Sequence, residues 1–331
     1  MEVYASAFKT PRPGVALIGA GAMGRALGLR LAESGYPIRG VLSRTRRSAE
    51  DLARVLGAPV ASDRLGDLPA GAPLVVLCVP DDQLADLAET LTGVPRSWQH
   101  SVVLHTSGAL PASVLAPLAA EGARTLSFHP LQTVTADTDA GTLEGVTVGI
   151  EGDAPGVAAG IELAAGLAMR YLVVSADAKP RYHLAAAMAS NLFVTLLGMV
   201  QEVLSSIDID RDGAMALLEP LLRGTLDNLV SSSPEEALTG PVARGDLATL
   251  RAHGLALRKD LPHLVPAYAA LSVETVRLAV RSGQLAPERA EDVLLLMQRM
   301  VTTPLPARPE APGEPSAARP PAPSKGWGVG S

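Results

Sequence analysis

The sequence predicts an α/β chain: a doubly wound, mostly parallel sheet, then an all-helical domain, then a disordered tail. Three observations carry this expectation. Short apolar runs rich in β-branched residues alternate with helical stretches up to about residue 176, the pattern of crossover units in a parallel sheet. From Pro180 onward the strand signal disappears. The last 29 residues hold eight prolines among Gly, Ser and Ala, too few apolar side chains to order themselves.

The elements follow in order. Residues 15–18 form a compact apolar run, and residues 24–34 have a helical pattern closed by Gly35. Residues 38–43 read as a strand and 48–56 as a helix. Residues 74–79 are apolar on both faces, as a central parallel strand requires. Residues 81–91 are helical, 102–105 a strand, and a helix opens near Pro111. Strands are expected at 125–128, where Pro130 should stop the run, and at 146–150. A helix at 154–169 and a strand at 171–175 complete the sheet. Helical patterns then cover 180–206, 211–230, 246–257, 262–282 and 287–301. The domains are read as 13–176, 177–302 and the tail 303–331.

Composition narrows the function. With 331 residues, 47% hydrophobic and 19% charged, the chain can build two real cores. Aromatics make up only 3%, so those cores rest on Ala, Leu and Val. The net charge of −6 argues against a general nucleic-acid binder, which needs clustered Lys and Arg. The single cysteine, Cys78, excludes an internal disulfide and a thiolate zinc cage; it reads as a small buried hydrophobe. The N-terminal residues lack the apolar core of a signal peptide. The apolar run 184–200 is short for a membrane span, carries Ser190, Asn191 and Thr195, and runs into Gln201 and Glu202. It reads as a buried core or interface helix of a cytoplasmic protein that does not engage membranes.

Gly19-Ala20-Gly21-Ala22-Met23-Gly24 follows directly on the first strand and opens the first helix. In that context the three glycines form a dinucleotide fingerprint of the Rossmann fold. Gly19 permits the tight turn, Gly21 a close approach of backbone to pyrophosphate, and Gly24 close packing of helix on strand. The helix N-terminus offers free N–H groups to the anion. At the end of the second strand stands Ser43-Arg44-Thr45-Arg46-Arg47, with no carboxylate to repel a 2′-phosphate. Arg44 is the expected clamp, with the hydroxyls of Ser43 and Thr45, so NADP is favoured over NAD. Val79-Pro80-Asp81 leaves the sheet at the same edge, near the cofactor ribose and nicotinamide; a turn with an N-cap describes the Asp equally well.

Two histidine motifs fall at the carboxyl ends of later strands, where open α/β sheets bind ligands. They are His105-Thr106-Ser107-Gly108 and Ser127-Phe128-His129-Pro130-Leu131-Gln132-Thr133. An imidazole there can exchange a proton with a substrate oxygen, although a histidine taken singly is more often structural. On the long helix, Lys179-Pro180 suits a helix start. His183, Ala187 and Asn191 recur at intervals of four, a drift of about 80° over a rise of about 12 Å, so His183 and Asn191 share one broad face. Tyr182 and Ser190 border it. Interhelical hydrogen bonds would account for that stripe as well as a substrate does. Farther on, residues 238–246 make a turn and a helix entry with Asp246 as N-cap. Arg244 there could clamp a carboxylate, or simply be solvated.

Together these motifs, spanning about residues 13 to 300, resemble a family that joins a Rossmann NADP-binding domain to a helical domain of unknown function. More distantly the layout is similar to pyrroline-5-carboxylate reductases, prephenate dehydrogenases, ketopantoate reductases and deazaflavin-dependent NADP reductases. The resemblance implies an NADP-linked oxidoreductase, dimeric through the helical domain. His129-Pro130 resembles the substrate-contacting His-Pro of the prephenate enzymes, without the glycine that ends their motif. The β-hydroxyacid and ketopantoate enzymes carry a catalytic Lys one or two turns before an Asn. Asn191 matches that Asn, and Ala187 or His183 takes the Lys place according to the spacing chosen.

The expectation is thus NADPH-dependent reduction of a small carbonyl or imine compound bearing a carboxylate, such as a 2-keto acid. His129 or His183 supplies the proton, Asn191 and Ser107 orient the reacting group, His105 flanks them, and Arg244 or Lys179 holds the carboxylate. The alternatives are an NADPH-binding regulatory protein without turnover, and oxidation of a hydroxy acid. No metal is called for.

Overall fold

The computed structural model describes residues 12–135, 137–139 and 141–302; the proline-rich tail and the first eleven residues lie outside them. The chain forms two compact units that divide between Asn191 and Leu192.

The first unit contains β1 (Val15–Ile18), α1 (Ala22–Glu33), β2 (Ile38–Leu42), α2 (Arg46–Leu56), β3 (Val60–Ser62), β4 (Leu74–Leu77) and α3 (Leu84–Thr92). It continues with β5 (Val102–His105), α4 (Ala116–Ala120), β6 (Arg124–Pro130), β7 (Thr147–Gly152), α5 (Ala154–Gly166), β8 (Arg170–Val173) and α6 (Lys179–Ala187). The eight strands form one sheet in the order β3-β2-β1-β4-β5-β6-β7-β8. The first six keep the Rossmann order 3-2-1-4-5-6 and are all parallel. Strand β7 is antiparallel to β6, and β8 is parallel to β7.

The sequence pattern explains why both faces are covered. In β1, Val15 and Leu17 join the core formed with α1, α2 and α5, while Ala16 and Ile18 join the core formed with α3 and α4. Strands β4 and β5 divide their side chains the same way, with Val76 and Leu104 on one face and Val75, Leu77 and Val103 on the other. This two-sided burial is what a continuous apolar strand requires.

Strand β6 ends at Pro130, two residues beyond the expected Phe128, with His129 opposite Gly149 and Pro130 opposite Val148. Pairing with β5 ends at Ser127, so the last residues of β6 have a free side. There a residue without an N–H is tolerated as it is on an edge strand.

The helix expected over residues 180–206 begins earlier and is not uniform. Lys179 is already helical, with Pro180 in the first turn. A π-turn at Met188–Leu192 separates α6 from α7 (Phe193–Ser205). That turn re-phases the helix, so the simple four-residue spacing from His183 to Asn191 does not hold through it.

The second unit holds α7, α8 (Arg211–Ser231), α9 (Pro234–Ala237), α10 (Leu247–Asp260), α11 (Val265–Arg281) and α12 (Pro287–Thr302). Its core is built on α10, α11 and α12 from Leu250, Val276, Val293 and Met297. Asp246 caps α10, accepting from the Thr249 N–H at 3.1 Å.

The apolar helix is not buried within the chain. Among the described residues, Ala176–Ser205 is the one helix of length and composition sufficient to cross a membrane, with mean hydropathy 1.6. Its Leu184, Met188, Leu192 and Val194 are each more than half exposed. The expected core role is therefore not met inside a single chain, because α7 buries no residue and α8 only Ala214.

Candidate functional site

The carboxyl ends of β1, β2, β4, β5 and β6 bring the first unit's candidate residues to one sheet edge. At the end of β1, Gly19 adopts φ +110°, a conformation open to glycine, and a Cβ there would strike the Cys78 carbonyl. A Cβ on Gly24 would strike the Gly19 carbonyl. These two glycines serve packing. Gly21 differs: a Cβ there would meet nothing within 4 Å. Gly21 is also the N-cap of α1 and supplies no side-chain cap, so Ala22, Met23 and Gly24 present first-turn N–H groups without one. An open approach in front of uncapped donors suits a pyrophosphate.

At the end of β2, Arg44 is exposed and forms no ion pair within the described residues. Its neighbours are engaged: Arg46 with Glu50 at 2.9 Å and Arg47 with Asp51 at 3.9 Å. The Thr45 hydroxyl caps α2, accepting from the Ser48 N–H at 3.3 Å and donating to the Ser48 hydroxyl at 2.8 Å. Ser43 is half-buried beside them. Val79 and Pro80 follow β4, and burial pushes the Cys78 thiol up to about 12, so it remains protonated. The Asp81 carboxylate does not cap its own helical turn. It accepts the Ser107 hydroxyl at 2.8 Å, across to the loop after β5.

That loop is held from several sides. Ser107 Oγ accepts from the N–H groups of Ala109 and Leu110, at 3.2 and 3.0 Å. The Ser107 N–H donates to His105 Nδ1 at 3.2 Å. Lys179 is buried, and its ammonium donates to Ser127 Oγ at 2.6 Å and to the Ser107 carbonyl at 3.3 Å. The Ser127 hydroxyl in turn donates to the same carbonyl at 3.1 Å. Lys179 is thus turned into the protein, fastening the start of α6 to β6 and to the 105–108 loop. Burial lowers its pKa, while Glu151 and Asp81 act in the opposite direction. Glu151, opposite Ser127 on β7, is itself buried and accepts the Ala112 N–H at 2.6 Å.

The histidines meet around Gly108. His129 and His183 lie edge to face with ring centroids 5.9 Å apart. A Cβ on Gly108 would lie 2.6 Å from His183 Nδ1 and 2.8 Å from His129 Cε1 and Nε2. The missing side chain is what lets two imidazole nitrogens face one small space. His183 Nδ1 is buried and has no hydrogen-bond partner among the described residues. His129 Nδ1 lies 3.2 Å from the Tyr182 hydroxyl. Burial, then the neighbouring His183 and Lys179, lower the His129 pKa to about 4, against a smaller opposing pull from Asp81. Burial and Lys179 lower His105 to about 4 as well. His105 is fully buried, beyond the reach of a substrate. Both rings are neutral at pH 7.

Asn191 is exposed in the π-turn, and its neighbour Ser190 shares a hydrogen bond with Thr133 at 3.0 Å. Arg244 belongs to the second unit and is exposed on the turn before α10. The sequence reading gave no role to Glu151, Gly149 or the Ser127 hydroxyl. The strand alternation that places Ser127 and His129 on one face of β6 would have paired those two; nothing in the sequence placed Glu151.

Residues 2–130 match the model of a Rossmann-like domain, and residues 146–275 that of a domain of unknown function, DUF2520. No protein of curated function matches the chain. Among solved structures, a Bacteroides fragilis protein provisionally named an NADP oxidoreductase superposes with a TM-score of 0.69 at 24% identity, over 80% of this chain and 98% of its own. A reductive aminase from Aspergillus terreus, solved with NADPH and ethyl levulinate, does so with 0.53 at 18%, over 88% and 94%. A pyrroline-5-carboxylate reductase from Coxiella burnetii gives 0.53 at 16%, over 84% and 97%. Residues 2–130 are thus Rossmann-like and residues 146–275 DUF2520-like, and the fold is shared by solved structures named as an NADP oxidoreductase, a reductive aminase and a pyrroline-5-carboxylate reductase.

Proposed function

We propose that this protein is an NADPH-dependent reductase of a small carbonyl or imine compound, with a carboxylate-bearing molecule such as a 2-keto acid as the substrate class. The observation that carries the reading is a coincidence at one sheet edge. A glycine loop with open space before uncapped helix N–H groups stands beside two imidazoles that face one side-chain-free position, Gly108.

The residues present fit a phosphorylated dinucleotide. Gly21, Ala22, Met23 and Gly24 would hold the pyrophosphate, and Arg44 with Ser43 the 2′-phosphate; Val79, Pro80 and Asp81 would border the ribose and nicotinamide. When bound, the reduced nicotinamide supplies a hydride. The chain's own residues govern the proton. His129, neutral at pH 7, offers an N–H or a lone pair and carries no imidazolium proton to deliver. His183 turns an unpartnered Nδ1 toward the same Gly108 space, so His129 or His183 exchanges the proton with the substrate. Ser107, Ser127 and Lys179 hold the loop, because their hydroxyls and ammonium are engaged with one another, with Asp81 and with backbone. His105 supports the Ser107 N–H from below.

Two copies associate, in this reading, through the helical region. The support is the run of apolar side chains on α7 and α8, with Val194, Leu217 and Leu221 more than half exposed. Light scattering of the purified protein should give twice the chain mass; a monomer, or a protein recovered only with lipid, overturns the dimer.

The functional test is a fluorescence titration with NADPH and NADH, repeated for Arg44→Glu. Loss of a charge-assisted contact is worth about 1.5–3 kcal/mol, so NADPH affinity should fall about tenfold or more while NADH affinity is preserved. Failure of the wild type to bind either nucleotide would remove the enzyme reading.

A further inference from the structure

Strands β6 and β7 place His129 directly opposite Gly149. Side chains of directly opposed residues in an antiparallel pair project from the same face. At this pair one partner has no side chain, and the vacancy is filled from α6. A Cβ on Gly149 would lie 2.6 Å from the Tyr182 hydroxyl oxygen and 2.7 Å from the adjoining ring carbon. The phenol therefore rests on the Gly149 backbone, and only a glycine there lets it lie so low. From that seat Tyr182 meets the His129 ring edge to face, with centroids 5.6 Å apart and an interplanar angle of 89°, its hydroxyl 3.2 Å from Nδ1.

The direction of that hydrogen bond follows from the chemistry of the two groups. A phenol O–H is a stronger donor than a neutral imidazole N–H, and the bare imidazole nitrogen is a stronger acceptor than a phenol oxygen, so the Tyr182 hydroxyl donates to Nδ1. A neutral imidazole whose Nδ1 accepts must carry its proton on Nε2. That is the nitrogen facing Gly108.

We propose that Tyr182 is a positioning residue for His129: its hydroxyl, seated on Gly149, holds the imidazole in the Nε2–H tautomer and aims that N–H at the space beside Gly108. The purpose of this device rests on the reductase reading above. An Nε2–H pointed at the reacting group recognises an acceptor, a carbonyl oxygen or an imine nitrogen, and discriminates against a ligand that presents only donors. The tautomer itself is a property of the ligand-free protein, so it is tested independently of turnover.

The experiment uses full-length protein labelled with ¹⁵N and ¹³C at histidine, with the His129 signals assigned from a His129→Gln variant. In the wild type at neutral pH, His129 should show Nδ1 as an unprotonated acceptor and Nε2 as the protonated nitrogen. In Tyr182→Phe, which keeps the ring and removes the hydroxyl, the two nitrogens should move toward averaged values. Turnover should drop about tenfold, with NADPH affinity and circular dichroism unchanged, on the scale of an orienting contact. Gly149→Ala should reproduce the tautomer loss with the hydroxyl still present, because the added methyl lifts the phenol from its seat; it carries the test if the first variant folds poorly. A wild-type His129 protonated at Nδ1 overturns the proposal, as does a tautomer unchanged in both variants. If the tautomer behaves as stated but no carbonyl or imine compound is reduced, the reductase reading fails and the positioning role of Tyr182 stands.

Discussion

Acidification should destabilise the first unit through His105, and the size of the effect follows from its surroundings. The ring is fully buried behind the 105–108 loop, with Nδ1 accepting the Ser107 N–H. Burial first, then the Lys179 ammonium, bring its pKa from 6.5 to about 4. At pH 7 the ring is neutral in the folded and unfolded chain alike, so its titration contributes nothing. Below pH 6.5 the unfolded chain takes up a proton that the folded chain refuses, and stability falls by about 1.4 kcal/mol per pH unit. The loss is complete at about pH 4, where the folded form also protonates, and amounts to about 3 kcal/mol. His129, also lowered to about 4, acts in the same direction over the same pH range. The assay is urea unfolding between pH 7 and 4, followed by the fluorescence of Trp98, which is buried in the sheet core, in a Trp327→Phe background. The comparison is with His105→Asn, whose side-chain oxygen can still accept the Ser107 N–H. Carboxylates titrate equally in both proteins, so the stability gap between them should change by about 3 kcal/mol across the range in favour of the variant. Parallel stability curves would refute the claim that the fold holds His105 neutral.

The glycines separate into two kinds by experiment. Gly21→Ala should leave unfolding stability within about 0.5 kcal/mol of wild type, since its Cβ enters open space, and should weaken NADPH binding about tenfold or more. Gly24→Ala, driven against the Gly19 carbonyl, should instead cost about 1–3 kcal/mol in a denaturant titration; an unaltered NADPH affinity in Gly21→Ala would remove that residue from the cofactor site. Gly108→Ala forces its methyl between the His129 and His183 rings. Turnover should fall about 100-fold with nucleotide affinity kept, and wild-type kinetics in this variant would show that the chemistry lies elsewhere.

The parts of the molecule that were legible in the sequence are those set by local pattern. Four-residue apolar runs such as Val15–Ile18 and Leu74–Leu77 can only be buried strands between turns, and the Gly19–Gly24 spacing follows directly on one of them. Asp246 was recognisable as an N-cap because a cap acts within three residues. Strand β3, three residues with a single buried position, has no periodicity to read. The end of β6 reads two residues short of Pro130 in the sequence because the strand's last residues pair only with β7, a fact of register between distant segments. The same holds for the site. Histidines at strand ends could be anticipated, whereas the inward turn of Lys179 toward Ser127, the reach of Asp81 to Ser107, and the seating of Tyr182 on Gly149 are contacts between elements 26 to 52 residues apart or facing strands. Lys179 looked like a candidate anion clamp because its type and place at a helix start were visible and its direction was not.

The electrostatics of the cluster explain why orientation, rather than charge, is what this site controls. Three basic side chains, His105, His129 and Lys179, are gathered behind one sheet edge, where burial lowers the pKa of each and Lys179 adds to the effect on both histidines. The two carboxylates in the neighbourhood, Glu151 and Asp81, favour the charged form of the lysine, and each also accepts a hydrogen bond that fixes local structure. Burial first, with Lys179 adding to it, leaves His105 and His129 as neutral rings. A neutral imidazole has one donor and one acceptor, and which nitrogen bears the proton decides what it can recognise. A hydroxyl on one nitrogen of His129 and a side-chain-free glycine before the other make that choice by geometry. Burial, helped by the neighbouring His183 and Lys179, keeps a second proton off the His129 ring, and the tyrosine places the one that remains.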